Sequence, residues 1–81
     1  MPKLRVLSAG QVLRILADFG FQPLDQRGSH LKLRRIQADG HRQTLTVPNH
    51  NEIDRGTLRA IYRQAGRFIL ESELRSKFFT D

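Results

Sequence analysis

Apolar residues in this chain recur at two periods, and the switches between them divide it into elements. Val12, Leu13, Leu16 and Phe19 fall at helical spacing. Ser8 ahead of them, with Gln11 three residues on, has the form of a capping box. Gly20 stands where a helix end takes a left-handed residue. The spacing therefore predicts a first helix from about Ala9 to Phe19. Ile15 lies off that stripe, either reaching a partner or simply tolerated. From Phe21 to Arg27 the pattern weakens, and Pro23 favours an edge strand or a strand start. From His30 to about Ile36 the period is two: Leu31 and Leu33 face one way, His30, Lys32 and Arg34 the other. Asp39-Gly40 is a turn signal. After it, Arg42 to Val47 alternates again, with Gln43, Leu45 and Val47 opposed to Thr44 and Thr46. Three strands joined by short turns predict an antiparallel meander.

Pro48 to Glu52 reads as a polar loop, after which Asp54 is placed to cap a second helix. Leu58, Ile61, Tyr62 and Ala65 form its core stripe, Arg55, Arg59 and Arg63 the opposite one, and Gly66 a stop. Leu70, Leu74 and Phe78 repeat helical spacing more weakly, predicting a short docked third helix with Arg75 and Lys77 outside. The expected fold is α+β, in the order α-β-β-β-α. Both helices lie on one face of a three-stranded antiparallel sheet, and a short C-terminal helix is added. One domain is expected over residues 1–81, with a core at about 8–66 and a helical tail at about 68–80.

Composition narrows the function classes. With 81 residues the core is small, and with no cysteine neither disulfides nor thiolate metal sites are available. No run is long enough to span a membrane, and the apolar start is too short and interrupted for a signal peptide, so a cytoplasmic location is expected. A net charge of +6 and a pI of about 11.1 favour nucleic acid first and an acidic protein second. Membrane binding is disfavoured, because the helices spend their apolar faces on the core.

The polar face of the second strand carries the candidate chemistry. Gly28 and Ser29 turn the chain so that His30 stands among Arg27, Lys32 and Arg34. Beside a phosphodiester such a histidine is a candidate acid or base, and the cations would stabilise charge on phosphorus. RNA supplies its own nucleophile, the 2′-OH, so proton transfer and charge stabilisation suffice. His50 is a secondary candidate because its position in the Leu45–His50 segment supports a role; the alternative is a loop histidine or one capping a carbonyl. His41, beside a turn glycine, reads as solvent-facing. The carboxylates are scattered, which disfavours a two-metal mechanism, and neither metal nor cofactor is expected. Glu52 with Asp54, and Glu71 with Glu73, read as helix-start charges. The Arg55, Arg59 and Arg63 stripe is either a solvated face, an acidic partner's contact or part of an RNA surface. In the last case Arg55 and the Gly56 backbone grip phosphate at the start of the second helix, and Arg59 adds to the binding.

Three segments together resemble the HicA family of bacterial toxins, small ribonucleases paired with HicB antitoxins. They are Gly20-Phe21 with Arg27-Gly28-Ser29-His30, then Leu45-Thr46-Val47-Pro48-Asn49-His50, then Arg55-Gly56-Thr57-Leu58 through Gln64-Ala65-Gly66. The resemblance implies a double-stranded-RNA-binding-domain-like fold and endoribonuclease action on mRNA. It also implies that His30, at the histidine of the Gly-Ser-His motif, is catalytic. A HicB-type antitoxin would neutralise the toxin by covering the basic face. Two rivals stand beside this expectation: a non-catalytic RNA-binding module of the same fold, and a protein-interaction domain whose charge serves an acidic partner.

Overall fold

The computed structural model describes residues 2–80. Helix α1 (Ala9–Ala17) starts on Ser8, whose hydroxyl accepts from the Gln11 amide at 3.2 Å. The Gln11 carboxamide oxygen in turn accepts from the Ser8 amide at 2.8 Å. The expected capping box is complete. The helix ends two residues short of the expected Phe19. Asp18 to Gly20 tighten into a turn in which the Phe19 and Gly20 amides donate to the Leu16 and Ala17 carbonyls. Gly20 has φ +93°, and a Cβ there would lie 3.2 Å from Arg35 Cδ, so both backbone and space call for glycine. Ile15 needs correcting. It is buried with Val12 and Leu16, while Leu13 is only half-buried. With Phe19 beyond the helix, the inward stripe centres on Val12, Ile15 and Leu16.

Strands β2 (Gln22–Arg27), β3 (His30–Ile36) and β4 (Arg42–Pro48) form the expected antiparallel sheet in the order β2-β3-β4. Pro23 therefore sits on an edge strand, where its missing N–H costs the ladder least. Leu24 is an extra residue between the Pro23 and Asp25 pairings, a bulge that periodicity alone did not reveal. Leu33, Leu45 and Val47 are buried on the inner face, where α1 and α2 (Arg55–Ala65) pack. Asp54 caps α2 as expected, accepting from the Thr57 amide at 3.1 Å and the Thr57 hydroxyl at 2.7 Å. The α-β-β-β-α layout is that of a double-stranded-RNA-binding domain.

Helix α3 (Glu71–Phe78) docks through Leu74 and Phe78, but Leu70 is 68% exposed and Ile69 takes its place in the core. Leu70 stands outside the helix at its N-cap, which turns it off the stripe. Two short strands, β1 (Lys3–Leu4) and β5 (Phe79–Thr80), were not anticipated; they pair antiparallel, with Lys3 opposite Thr80. Leu4 and Leu7 enter the core with them. Extents of 38 × 30 × 17 Å fit one sheet and one helix layer, leaving the outer sheet face open.

Arg35 joins these parts. Its parity with Leu31 and Leu33 points it inward, beside the Phe21 ring at 4.9 Å. Its guanidinium donates to Gln43 Oε1 at 2.8 Å, to the Phe19 carbonyl at 3.0 Å and to the Phe68 carbonyl at 2.8 Å. One side chain thus ties β4, the end of α1 and the segment after α2.

Candidate active site

The outer sheet face is built by the β2–β3 hairpin. Gly28 has φ +57° and Ser29 has no positive φ, the pattern of a type II′ turn, whose first central residue is glycine. The Ser29 carbonyl accepts from the Asn49 amide at 2.6 Å, tying the hairpin tip to the loop after β4. This fixes His30 at the head of β3, opposite Arg27 on one side and Pro48 on the other. Lys32 lies opposite Asp25 and Thr46, and Arg34 opposite Gln22 and Thr44. Directly opposed residues share a face, so His30 and its neighbours project together from the uncovered side.

Asp25, Arg27, His30, Lys32 and Thr46 line a shallow depression of about 140 Å³ on this face. Arg27 Nε donates to Asp25 Oδ2 at 3.3 Å, holding a cation and an anion at its edge. Three of the anticipated residues, Arg27, His30 and Lys32, thus come together over the Gly28-Ser29 turn. Arg34 does not join them. It is half-buried, its Nε has no hydrogen-bond partner, and it lines a separate hollow with Gln22, Leu24 and Ile36.

His50 also lies outside the depression's lining. Its carbonyl accepts from the Ala9 amide at 2.9 Å, so its backbone supports the start of α1. Hydrogen bonds from the Thr57 hydroxyl and amide hold the Asp54 carboxyl below the usual carboxylate range, with a smaller charge contribution from His50. Asp54 thereby places its own carboxylate at the N-terminus of α2, and Arg55, Gly56 and Arg59 lie exposed around it. His41 is exposed but engaged: its Nδ1 is 2.8 Å from Asp39 Oδ2. The backbone and side chain of His41 together lower the Asp39 pKa.

Asp25 is the lining residue that sequence reading missed, although a signal for it existed. Counting back from the Gly28-Ser29 turn puts Arg27 opposite His30 and Asp25 opposite Lys32, before the bulge at Leu24 intervenes. Among the described residues, no three histidine, cysteine or acidic side chains come together to hold a metal. Among the described residues, no helix is long and apolar enough to cross a membrane.

A helix layer on one side of a three-stranded sheet, with a histidine among cations on the other, defines a small basic protein of double-stranded-RNA-binding-domain layout. The chain belongs to the family described as HicA toxin of bacterial toxin-antitoxin systems, whose sequence model matches residues 9–66, from α1 to the glycine that ends α2. Neither the curated proteins nor the solved structures contain a match. Membership assigns the chain a toxin role and, with it, a toxin–antitoxin partner.

Proposed function

We propose that this toxin is a metal-independent endoribonuclease that cleaves mRNA at the His30 depression. The observation that carries the reading is the grouping of His30 with Arg27 and Lys32 on an open sheet face. The cations attract the phosphodiester and stabilise negative charge as phosphorus becomes five-coordinate. His30 exchanges a proton with the 2′-OH or with the departing 5′ oxygen, and the 2′ oxygen attacks the adjacent phosphorus. That attack breaks the P–O5′ bond and leaves a 2′,3′-cyclic phosphate. One imidazole cannot serve both oxygens at once. Asp25, the carboxylate in the same lining, is the second group able to carry a proton. Arg55 extends the cationic surface for RNA beyond the sheet. A HicB-type antitoxin would neutralise the toxin in the cytoplasm by covering the basic face.

The test is cleavage of a short RNA and of the same RNA carrying a 2′-deoxy nucleotide at the scissile position. Cleavage of the first alone, with a cyclic phosphate end and no loss of rate in chelator, is expected. The rate should also change between about pH 5 and 8, where imidazole titrates. One observation favours a second reading: the His30 ring makes no hydrogen bond within the described chain that would orient it. A binding module of the same fold would retain salt-sensitive RNA affinity yet leave both RNAs intact.

A further inference from the structure

A larger groove, of about 510 Å³, lies on the helix layer, away from the His30 depression. Arg59, Arg63 and Arg67 line it, with Tyr62 and Phe79 as its aromatic surface and Glu71 beside them. Arg67, Glu71 and Phe79 follow the stretch that matches the family, so the groove extends beyond it.

Helix α2 carries a row of like charges here. It contains no acidic residue, and Arg55, Arg59 and Arg63 stand four apart, where like charges weaken a helix. Arg55 also sits at the positive end of the macrodipole. Among the described residues the close ion pairs are Arg27 with Asp25 and His41 with Asp39, so Arg59, Arg63 and Arg67 make none, and Glu71 is the one carboxylate lining their groove. Asp54 offsets Arg55 at the start of the helix, and the last turn favours Arg63. The i, i+4 repulsion along the row, however, has no acidic residue within α2 to relieve it, and an anionic ligand would do so.

The aromatic surface decides which anion fits. Tyr62 packs on Phe78 at 5.5 Å and meets Phe79 edge-to-face at 5.1 Å, so the rings are engaged with one another rather than presented as a stacking platform for bases. The Tyr62 hydroxyl donates to Glu71 Oε1 at 2.9 Å, fixing a negative charge that a continuous phosphodiester would have to pass. Burial, followed by that carboxylate, raises the Tyr62 pKa and keeps the donor protonated. A peptide can space its charges to avoid Glu71, and its carboxylates can take guanidinium groups in two-pronged hydrogen bonds.

We propose that this groove docks an acidic amphipathic helix of a partner protein. Its Asp or Glu side chains, four residues apart, pair with Arg59, Arg63 and Arg67, and one apolar side chain packs on the outer surface of the Tyr62–Phe79 pair. The groove is on the helix layer, so a partner held there leaves the sheet face accessible. The proposal does not depend on cleavage at His30.

The test is fluorescence anisotropy with the full chain and a labelled helical peptide carrying glutamate at every fourth position and leucine on the adjoining face. Arg63→Glu with Arg67→Glu should weaken binding at least about tenfold. Arg14→Glu with Arg42→Glu, the same charge change elsewhere, should weaken it less than about threefold. Replacing the peptide's leucines with serine should also weaken it, with circular dichroism confirming that each variant is folded. Equal losses in the two variant pairs, or no saturable binding by the wild type, would overturn the proposal. So would a single-stranded RNA that displaces the peptide and loses the same affinity in Arg63→Glu/Arg67→Glu, which would make the groove an RNA track.

Discussion

At the scale of single residues, two cations on one strand have opposite fates. Lys32 shares the outer face with His30, whereas Arg35 turns inward and holds three carbonyl or carboxamide oxygens. Arg35→Ala would leave those acceptors unpaired, two of them backbone carbonyls. A loss of about 2–3 kcal/mol in urea unfolding is expected, and Arg35→Lys should recover little because an ammonium lacks the planar fork. The inward direction of Arg35 was legible from its parity with Leu31 and Leu33. Its partners were not, since Phe19 and Phe68 are brought to it only by the packing of distant elements. His30 was legible because its setting is local: a glycine turn on one side and alternation on the other. Arg34 shows the limit of that method. Alternation gives its face, but only the register and the bulge give the hollow it lines.

At the scale of elements, the sequence was most informative where a helix or strand carries its own start signal. Ser8 with Gln11, and Asp54 with Thr57, act as caps at the expected positions. The β1–β5 pair lacked such a signal, because two-residue strands have no period and their partner lies at the other end of the chain. Asp54 offers a test of a cap through pH. Its folded pKa lies below the reference value of 3.8, so the charged form is favoured in the native state. Its contribution is present in full above that reference and is lost as pH falls through the lower folded value. Thermal melts taken from about pH 7 down to about pH 3 should therefore show the wild type losing an advantage over Asp54→Asn toward the acid end. Parallel pH dependence in the two proteins would remove Asp54 from the acid response.

At the scale of the molecule, the core extends beyond the stretch shared with the family. The family match ends at residue 66, yet Ile69, Leu74 and Phe78 are buried, and Arg5 reaches the Lys77 carbonyl at 2.8 Å. Phe78→Ala should cost about 3–5 kcal/mol. A chain ended at Gly66 should lose its cooperative melt, as circular dichroism would record. A cooperative transition at an unchanged temperature would instead make the tail an appendage. The same packing leaves the sheet face uncovered while the helices are backed by the core, and that face carries His30.

The most direct measurement is paired induction of the wild type and His30→Ala in bacteria lacking the antitoxin, following growth and mapping new RNA 5′ ends. His30 is exposed, so the variant should fold as the wild type does. Growth arrest with fresh mRNA ends in the wild type alone is the expected result. Equal cleavage by two folded proteins would contradict it and move the chemistry away from His30.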